Sequence, residues 1–213
     1  MMSRNIKDYD SVLTKFVFAN FLLLIFVPDL INISSHSNYV TYLTEVGLIK
    51  GAGLFVTSIL TLLINGFYKS EHKYIIVFWK IKNNLPGCRV FTELATKDPR
   101  IDYNSLVQKY DPLPTKPEEQ NKLWYKILKK HPDDEAILQS HRDFLLFRDL
   151  TAITFSLMII FLLVFVTAQI LHFNLGISYF IIFLLEYLLL VVITRNKAER
   201  FALNVVATDI IGD

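Results

Sequence analysis

The run ISYFIIFLLEYLLLVVIT, residues 177–194, contains a single formal charge, Glu186, and stops at Arg195. It approaches the roughly 20 apolar residues needed to cross a hydrocarbon core about 30 Å thick, and with Leu175 and Gly176 it reads as a membrane span over residues 175–194. Working outward, three more stretches have the same character: residues 16–33 (FVFANFLLLIFVPDLINI), 46–68 and 150–171. In lipid, a backbone polar group must find its partner inside its own segment, so all four read as helices. The expected fold is all-α, an integral membrane four-helix bundle.

Composition agrees with that class. Of 213 residues, 53% are hydrophobic and 20% charged, and the mean hydropathy of +0.38 is above that of an ordinary water-soluble domain. Seventeen Phe and ten Tyr against seven Gly and seven Pro exclude a disordered or linker-dominated chain, because that much apolar surface has to be buried in protein or lipid. The single cysteine, Cys88, excludes an internal disulfide and a thiolate zinc site. A net charge of +2 gives no global case for direct nucleic-acid binding. Nothing in the composition calls for a cofactor.

The first stretch has a second reading, a signal peptide, since Arg4, Lys7 and Lys15 precede an apolar run of suitable length. No small-x-small cleavage site follows, and Pro28-Asp29-Leu30 leads into further apolar residues, which favours an uncleaved span. Basic residues then orient the bundle. Residues 34–45 and 172–174 contain no Lys or Arg, whereas residues 69–149 carry fifteen, and Arg195, Lys197 and Arg200 follow the last span. The positive-inside pattern places both termini in the cytoplasm of an inner (plasma) membrane protein. The organisation expected is a cytoplasmic N-terminus (1–15), a hairpin of spans (16–68), a cytoplasmic helical domain (69–149), a second hairpin (150–194) and a cytoplasmic amphipathic tail (195–213).

Within the cytoplasmic domain, Tyr74 to Lys82 suits a helical continuation of the second span or a short buried strand, and the absence of an intervening Gly or Pro favours the helix. Asn83 to Gly87 reads as a turn. Asp102 can cap a short helix through Tyr110. Thr115 and Glu118 match a capping box, and Pro117 suits a first turn, for a helix to about Lys130 with Leu123, Trp124, Ile127 and Leu128 on its apolar face. Asp133, Asp134 and Glu135 favour the start of another helix, running through His141 and Phe144 into the third span. In the tail, Ala198, Phe201, Ala202, Val205 and Val206 share one helical face, which can pack on the cytoplasmic domain or lie on the membrane.

Residues that could carry chemistry are few. His141-Arg142-Asp143 imitates a fragment of a kinase catalytic loop without its other parts, and no Arg stands at nuclease-like spacing before any of the five histidines. His131, Asp133, Asp134 and Glu135 offer metal-ligand side chains, yet a turn and a charged helix start account for them, so no metal site is assigned. No enzyme is expected. Glu186 in mid-span is costly unless neutral, paired or wetted, which admits either an ion pathway or a hydrogen bond to a neighbouring helix. Asn20, Thr57, Ser58, Thr61, Asn65 and Tyr187 are the candidate partners. Gly47 and Gly51 form a Gly-x-x-x-Gly pair suited to close helix packing, within the chain or in a homo-oligomer. Arg148-Asp149 reads as an interfacial charge pair. Arg89, Asp98, Arg100 and Asp102 are either a solvated loop or a partner-binding set in which the arginines hold an acidic surface.

Leu85-Pro86-Gly87-Cys88-Arg89-x-Phe91, Asp98-Pro99-Arg100-Ile101-Asp102, Gln120-Asn121-x-Leu123-Trp124-Tyr125 and His141-Arg142-x-Phe144-Leu145-Leu146-x-Arg148-Asp149 together carry a resemblance. Over residues 68–160 the chain resembles bacterial four-span membrane proteins of antiviral-defence neighbourhoods, including small membrane accessory proteins that accompany RNA-targeting CRISPR systems. The resemblance implies an accessory or effector role in defence and a cytoplasmic protein partner; it supplies no catalytic residue. A small transporter using Glu186 and a passive membrane anchor are the competing expectations.

Overall fold

The computed structural model describes residues 9–31, 59, 63, 66–172 and 177–211. Gly47, Gly51 and Asn65 lie outside the described residues, as do most of the second predicted span and the connections around Asn38 and Asn174. Among the described residues all regular structure is helical: α1 (Asp10–Ile31), α2 (Ser70–Phe78), α3 (Tyr103–Lys109), α4 (Pro117–Lys130), α5 (Glu135–Ile170) and α6 (Ser178–Ile211). A string of tight turns, 3-10 over Pro86–Arg89, π over Val90–Leu94 and 3-10 over Ala95–Lys97, lies between α2 and α3.

The long helices α5 and α6 are apolar and long enough to cross a membrane. At 36 and 34 residues and about 1.5 Å per residue, each also extends well beyond a hydrocarbon core. On α6, Ile181, Ile182, Leu185, Leu188, Leu189 and Val192 are exposed, and on α5 so are Ile159, Leu163, Val166 and Ile170. Both sets recur at helical spacing, giving each helix an exposed apolar stripe.

By compactness the chain forms two units. The polar unit comprises Ser70–Thr151 and Leu188–Asp213. Its centre is the C-terminal part of α6, where Ala198, Phe201, Ala202, Val205 and Val206 are all at most 5% exposed. Trp124 of α4 meets this face edge-on, 5.3 Å from the Phe201 ring, and donates Nε1–H to the Ala202 carbonyl at 3.1 Å. His141 of α5 stacks on Phe201 at 4.5 Å. The apolar unit comprises Ala152–Tyr187 with the described part of Asp8–Lys69, and its aromatic packing includes Phe161 on Phe183 at 5.1 Å and Phe155 near Tyr187 at 5.4 Å.

Local chemistry sets the boundaries. Asp102 caps α3 by accepting from Asn104 N–H at 3.0 Å, and Asp134 caps α5 by accepting from Ile137 N–H at 2.8 Å. The capping box expected at Thr115 does not form. Lys116 is the N-cap, without a side-chain bond, and the Thr115 carbonyl instead accepts from Gln120 Nε2 at 3.0 Å. The reason is the neighbouring string: Gln120 is 1% exposed, and its Oε1 accepts from Phe91 N–H at 3.1 Å, a donor freed at the start of the π turn. Tyr68 and Lys69 are not helical, so α2 begins anew at Ser70 rather than continuing the segment before it. Gly87 is required by close approach, since a Cβ there would lie 2.5 Å from Asn121 Oδ1 and 3.1 Å from the Trp124 ring.

Candidate functional site

The predicted loop residues are all ordered against the polar unit. Asp98 and Arg100 pair with each other, Arg100 Nη2 to Asp98 Oδ2 at 2.6 Å and Nε to Asp98 Oδ1 at 3.0 Å, while Arg100 Nη1 donates to Asn204 Oδ1 of α6 at 2.9 Å. Hydrogen bonding from Arg100 lowers the Asp98 carboxyl below its ordinary range, against a smaller desolvation effect. Arg89 donates through Nη2 to Glu199 of α6 and through Nη1 to Glu93 at 3.3 Å. Asp102 is lowered by the Ser105 hydroxyl and then by Asn104 N–H, as befits a helix cap. Both guanidinium groups thus fasten the loop to α6, and Asp102 serves its own helix. Leu94, Lys97, Asp98, Pro99, Arg100, Glu199 and Leu203 line an open groove of about 450 Å³ along this seam.

A second cluster on the same helix was not anticipated from the sequence. Asp209, whose side chain is 2% exposed, accepts from the Tyr110 hydroxyl at 2.5 Å and lies 3.0 Å from His131 Nε2 and 3.1 Å from Lys109 Nζ. Lys109 Nζ also reaches the Asp209 carbonyl at 2.6 Å, and Lys130 Nζ donates to the Tyr110 hydroxyl at 2.6 Å. Desolvation raises the Asp209 carboxyl, but bonds from Tyr110, His131 and Lys109 together outweigh it and hold the group below its ordinary range. The C-terminal ends of α3 and α4 therefore converge on one carboxylate near the end of α6. His131 belongs to this clasp rather than to Asp133 or Asp134, and among the described residues no group of three metal-ligating side chains assembles.

Opposite its buried face, α4 exposes Lys122, Tyr125, Lys126, Lys129 and Lys130. Lys129 Nζ lies 4.8 Å from the Tyr125 ring centroid. The four residues from Lys122 to Lys129 follow i, i+3, i+4, i+7 spacing, a basic stripe with one aromatic in it. The signal was visible in the sequence as the complement of the predicted apolar face.

In the polar unit, Arg148 and Asp149 are buried, at 4% and 7% exposure. Arg148 Nη2 lies 2.7 Å and Lys73 Nζ 3.1 Å from Asp149 Oδ1, and the Arg148 guanidinium lies over Tyr74 at 5.6 Å. Near the middle of α5, the Thr151 hydroxyl meets that of Thr194 on α6 at 2.8 Å.

In the apolar unit, Asn20 is 4% exposed and donates Nδ2–H to Glu186 Oε1 at 3.1 Å and to the Phe16 carbonyl at 3.3 Å. Of the partners weighed for Glu186, α1 thus supplies Asn20. The pair has a direct structural use, since each group removes the other's need for water.

No protein-family model, curated protein or solved structure matches the chain.

Proposed function

We propose that this is a four-span, multi-pass inner-membrane protein with both termini cytoplasmic, acting as a non-enzymatic accessory or effector of bacterial antiviral defence. The part of the polar unit outside the spans, residues 70–149 and 195–211, is its cytoplasmic domain and receives an acidic protein partner on the lysine face of α4. The spans respond to that partner, with altered membrane permeability as the output. The observation that carries the reading is that α5 and α6 each contribute an outward apolar stripe and also run into the polar unit, α6 as its centre and α5 packed on it through His141 and Phe144. Repacking of the polar unit therefore acts on helices that are themselves the spans. The basic asymmetry of the loops supports the orientation, and the resemblance over residues 68–160 supports the defence context.

Arg89 and Arg100 are less suited than the α4 lysines to hold a partner, because their charges are already met by Glu93, Glu199 and Asp98. A phage-challenge assay tests the α4 face. Lys122→Glu/Lys126→Glu/Lys129→Glu should abolish protection at unchanged membrane level and melting temperature. Full protection in that triple variant would remove α4 as the receiving face.

The Asn20–Glu186 pair favours a second reading, an ion-handling protein in which Glu186 lies on the pathway. Proton flux in proteoliposomes that disappears in Glu186→Gln would favour it over the accessory role.

A further inference from the structure

The segment that follows α2 is built unusually. Trp79 adopts a left-handed backbone (φ 56°), as does Asn83 (φ 52°), so two left-handed residues bracket Lys80-Ile81-Lys82. A bulky aromatic avoids this region, which at a helix C-terminus is normally taken by Gly or Asn. The consequence is an outward turn that leaves Trp79 57% and Ile81 82% exposed, with Lys80 and Lys82 exposed beside them. Asn84 Nδ2 closes the turn on the Lys80 carbonyl at 3.3 Å, and Asn83 Nδ2 ties its far end to Glu118 at 2.7 Å.

Arg195 fixes where this turn lies along α6. Its guanidinium carbon is 4.3 Å from the Trp79 ring centroid, and its Nε donates to the Val77 carbonyl at 2.8 Å. Arg195 is the first charged residue after the apolar run that ends at Thr194, and the outward stripe of that run reaches Val192. Trp79 therefore sits at the level where the apolar stripe gives way to charge. An amphipathic indole, an exposed isoleucine and flanking cations at that level match the composition of a membrane–water interface.

We propose that Trp79–Lys82 is an interfacial anchor. Trp79 and Ile81 enter the boundary between headgroups and acyl chains of the cytoplasmic leaflet, while Lys80 and Lys82 lie on lipid phosphates and the anchor holds the polar unit at the membrane surface. This rests on the membrane reading of α6, and the two can fail separately.

The test uses the full chain in phospholipid vesicles containing lipids brominated either near the headgroup or deep in the acyl chain, with tryptophan emission as the readout. Trp124, 8% exposed and inside the polar unit, supplies a background read from the Trp79→Phe variant. The wild-type protein should show a component quenched more strongly by shallow than by deep bromine, and Trp79→Phe should lose it. Trp79→Phe/Ile81→Trp should restore it, which keeps the test independent of the one substitution at the left-handed position. Trp79→Phe/Leu189→Trp reports on the span itself and should be quenched more strongly by deep bromine. Deep quenching at 189 with no shallow component at 79 or 81 overturns the anchor alone; no quenching at 189 overturns the membrane reading beneath it.

Discussion

Asp209→Ala removes the α6 carboxylate on which the ends of α3 and α4 converge. Stripping one partner from a fully buried ion pair costs about 3–5 kcal/mol, because the other charge is left in a low-dielectric site. Here the surrounding side chains keep some water: Lys109 is 24%, His131 25% and Lys130 49% exposed. Solvent screening brings the expected loss to about 2–3 kcal/mol, a fall of about 5–10 °C in melting temperature for a chain of this size. Asp209→Asn keeps an acceptor for Tyr110 and loses only the charge, so about 1 kcal/mol is expected. Trp124 fluorescence in detergent micelles, read in a Trp79→Phe background, is a suitable reporter, since its Nε1–H is bonded to Ala202 on the same helix. The pH dependence has a definite sign. The folded carboxyl is depressed, so its contribution is complete above the unfolded value of about 3.9 and is lost as pH falls through the folded value. Acid destabilisation below about pH 4 should therefore be shallower in Asp209→Ala. An alanine variant melting within about 1 °C of wild type would refute the clasp.

Three further outcomes follow from the same contacts. Gly87→Ala should cost about 1–3 kcal/mol, read by the same melt, because its Cβ would press on Asn121 and Trp124; an unchanged melting temperature would show that Asn121 yields freely. Desolvation, with a smaller contribution from Arg148, lowers the His141 imidazole. Stability is then complete above the unfolded value of about 6.5 and falls as pH drops from there toward the folded one, so His141→Phe should flatten the loss of stability that sets in below about pH 6.5. Glu186→Gln should preserve insertion and folding, since an amide oxygen still accepts from Asn20, whereas Glu186→Ala should lose about 0.5–2 kcal/mol in a detergent-unfolding titration; equal stability of the two variants would mean that the Asn20 bond contributes nothing.

What the sequence could reveal follows from the range of the interactions involved. The buried face of the tail was legible from Ala198, Phe201, Ala202, Val205 and Val206 because helical spacing is local, and the ends at Asp102 and His131 because capping chemistry is local too. Asn20 was legible as a partner for Glu186 by scarcity, since few polar groups occur in the apolar stretches. The clasp was not: Asp209 meets Tyr110 and His131 across 99 and 78 residues, and an acidic residue near a chain end reads as solvated. Arg89 and Arg100 appeared available for a partner because their α6 contacts, Glu199 and Asn204, lie 110 and 104 residues away. Thr115 was misread as a cap because Gln120, committed to the turns at Phe91 and Thr92, decides how that helix begins.

The central claim, that the polar unit faces the cytoplasm between paired spans, is tested most directly by cysteine labelling in intact cells. In a Cys88→Ala background, single cysteines are placed at Asn38, Lys126, Asn174 and Asp213 and challenged with a membrane-impermeant maleimide. The account predicts labelling at positions 38 and 174, with positions 126 and 213 protected until the cells are permeabilised. Labelling at 213 or 126 in intact cells, or protection at 174, would contradict it.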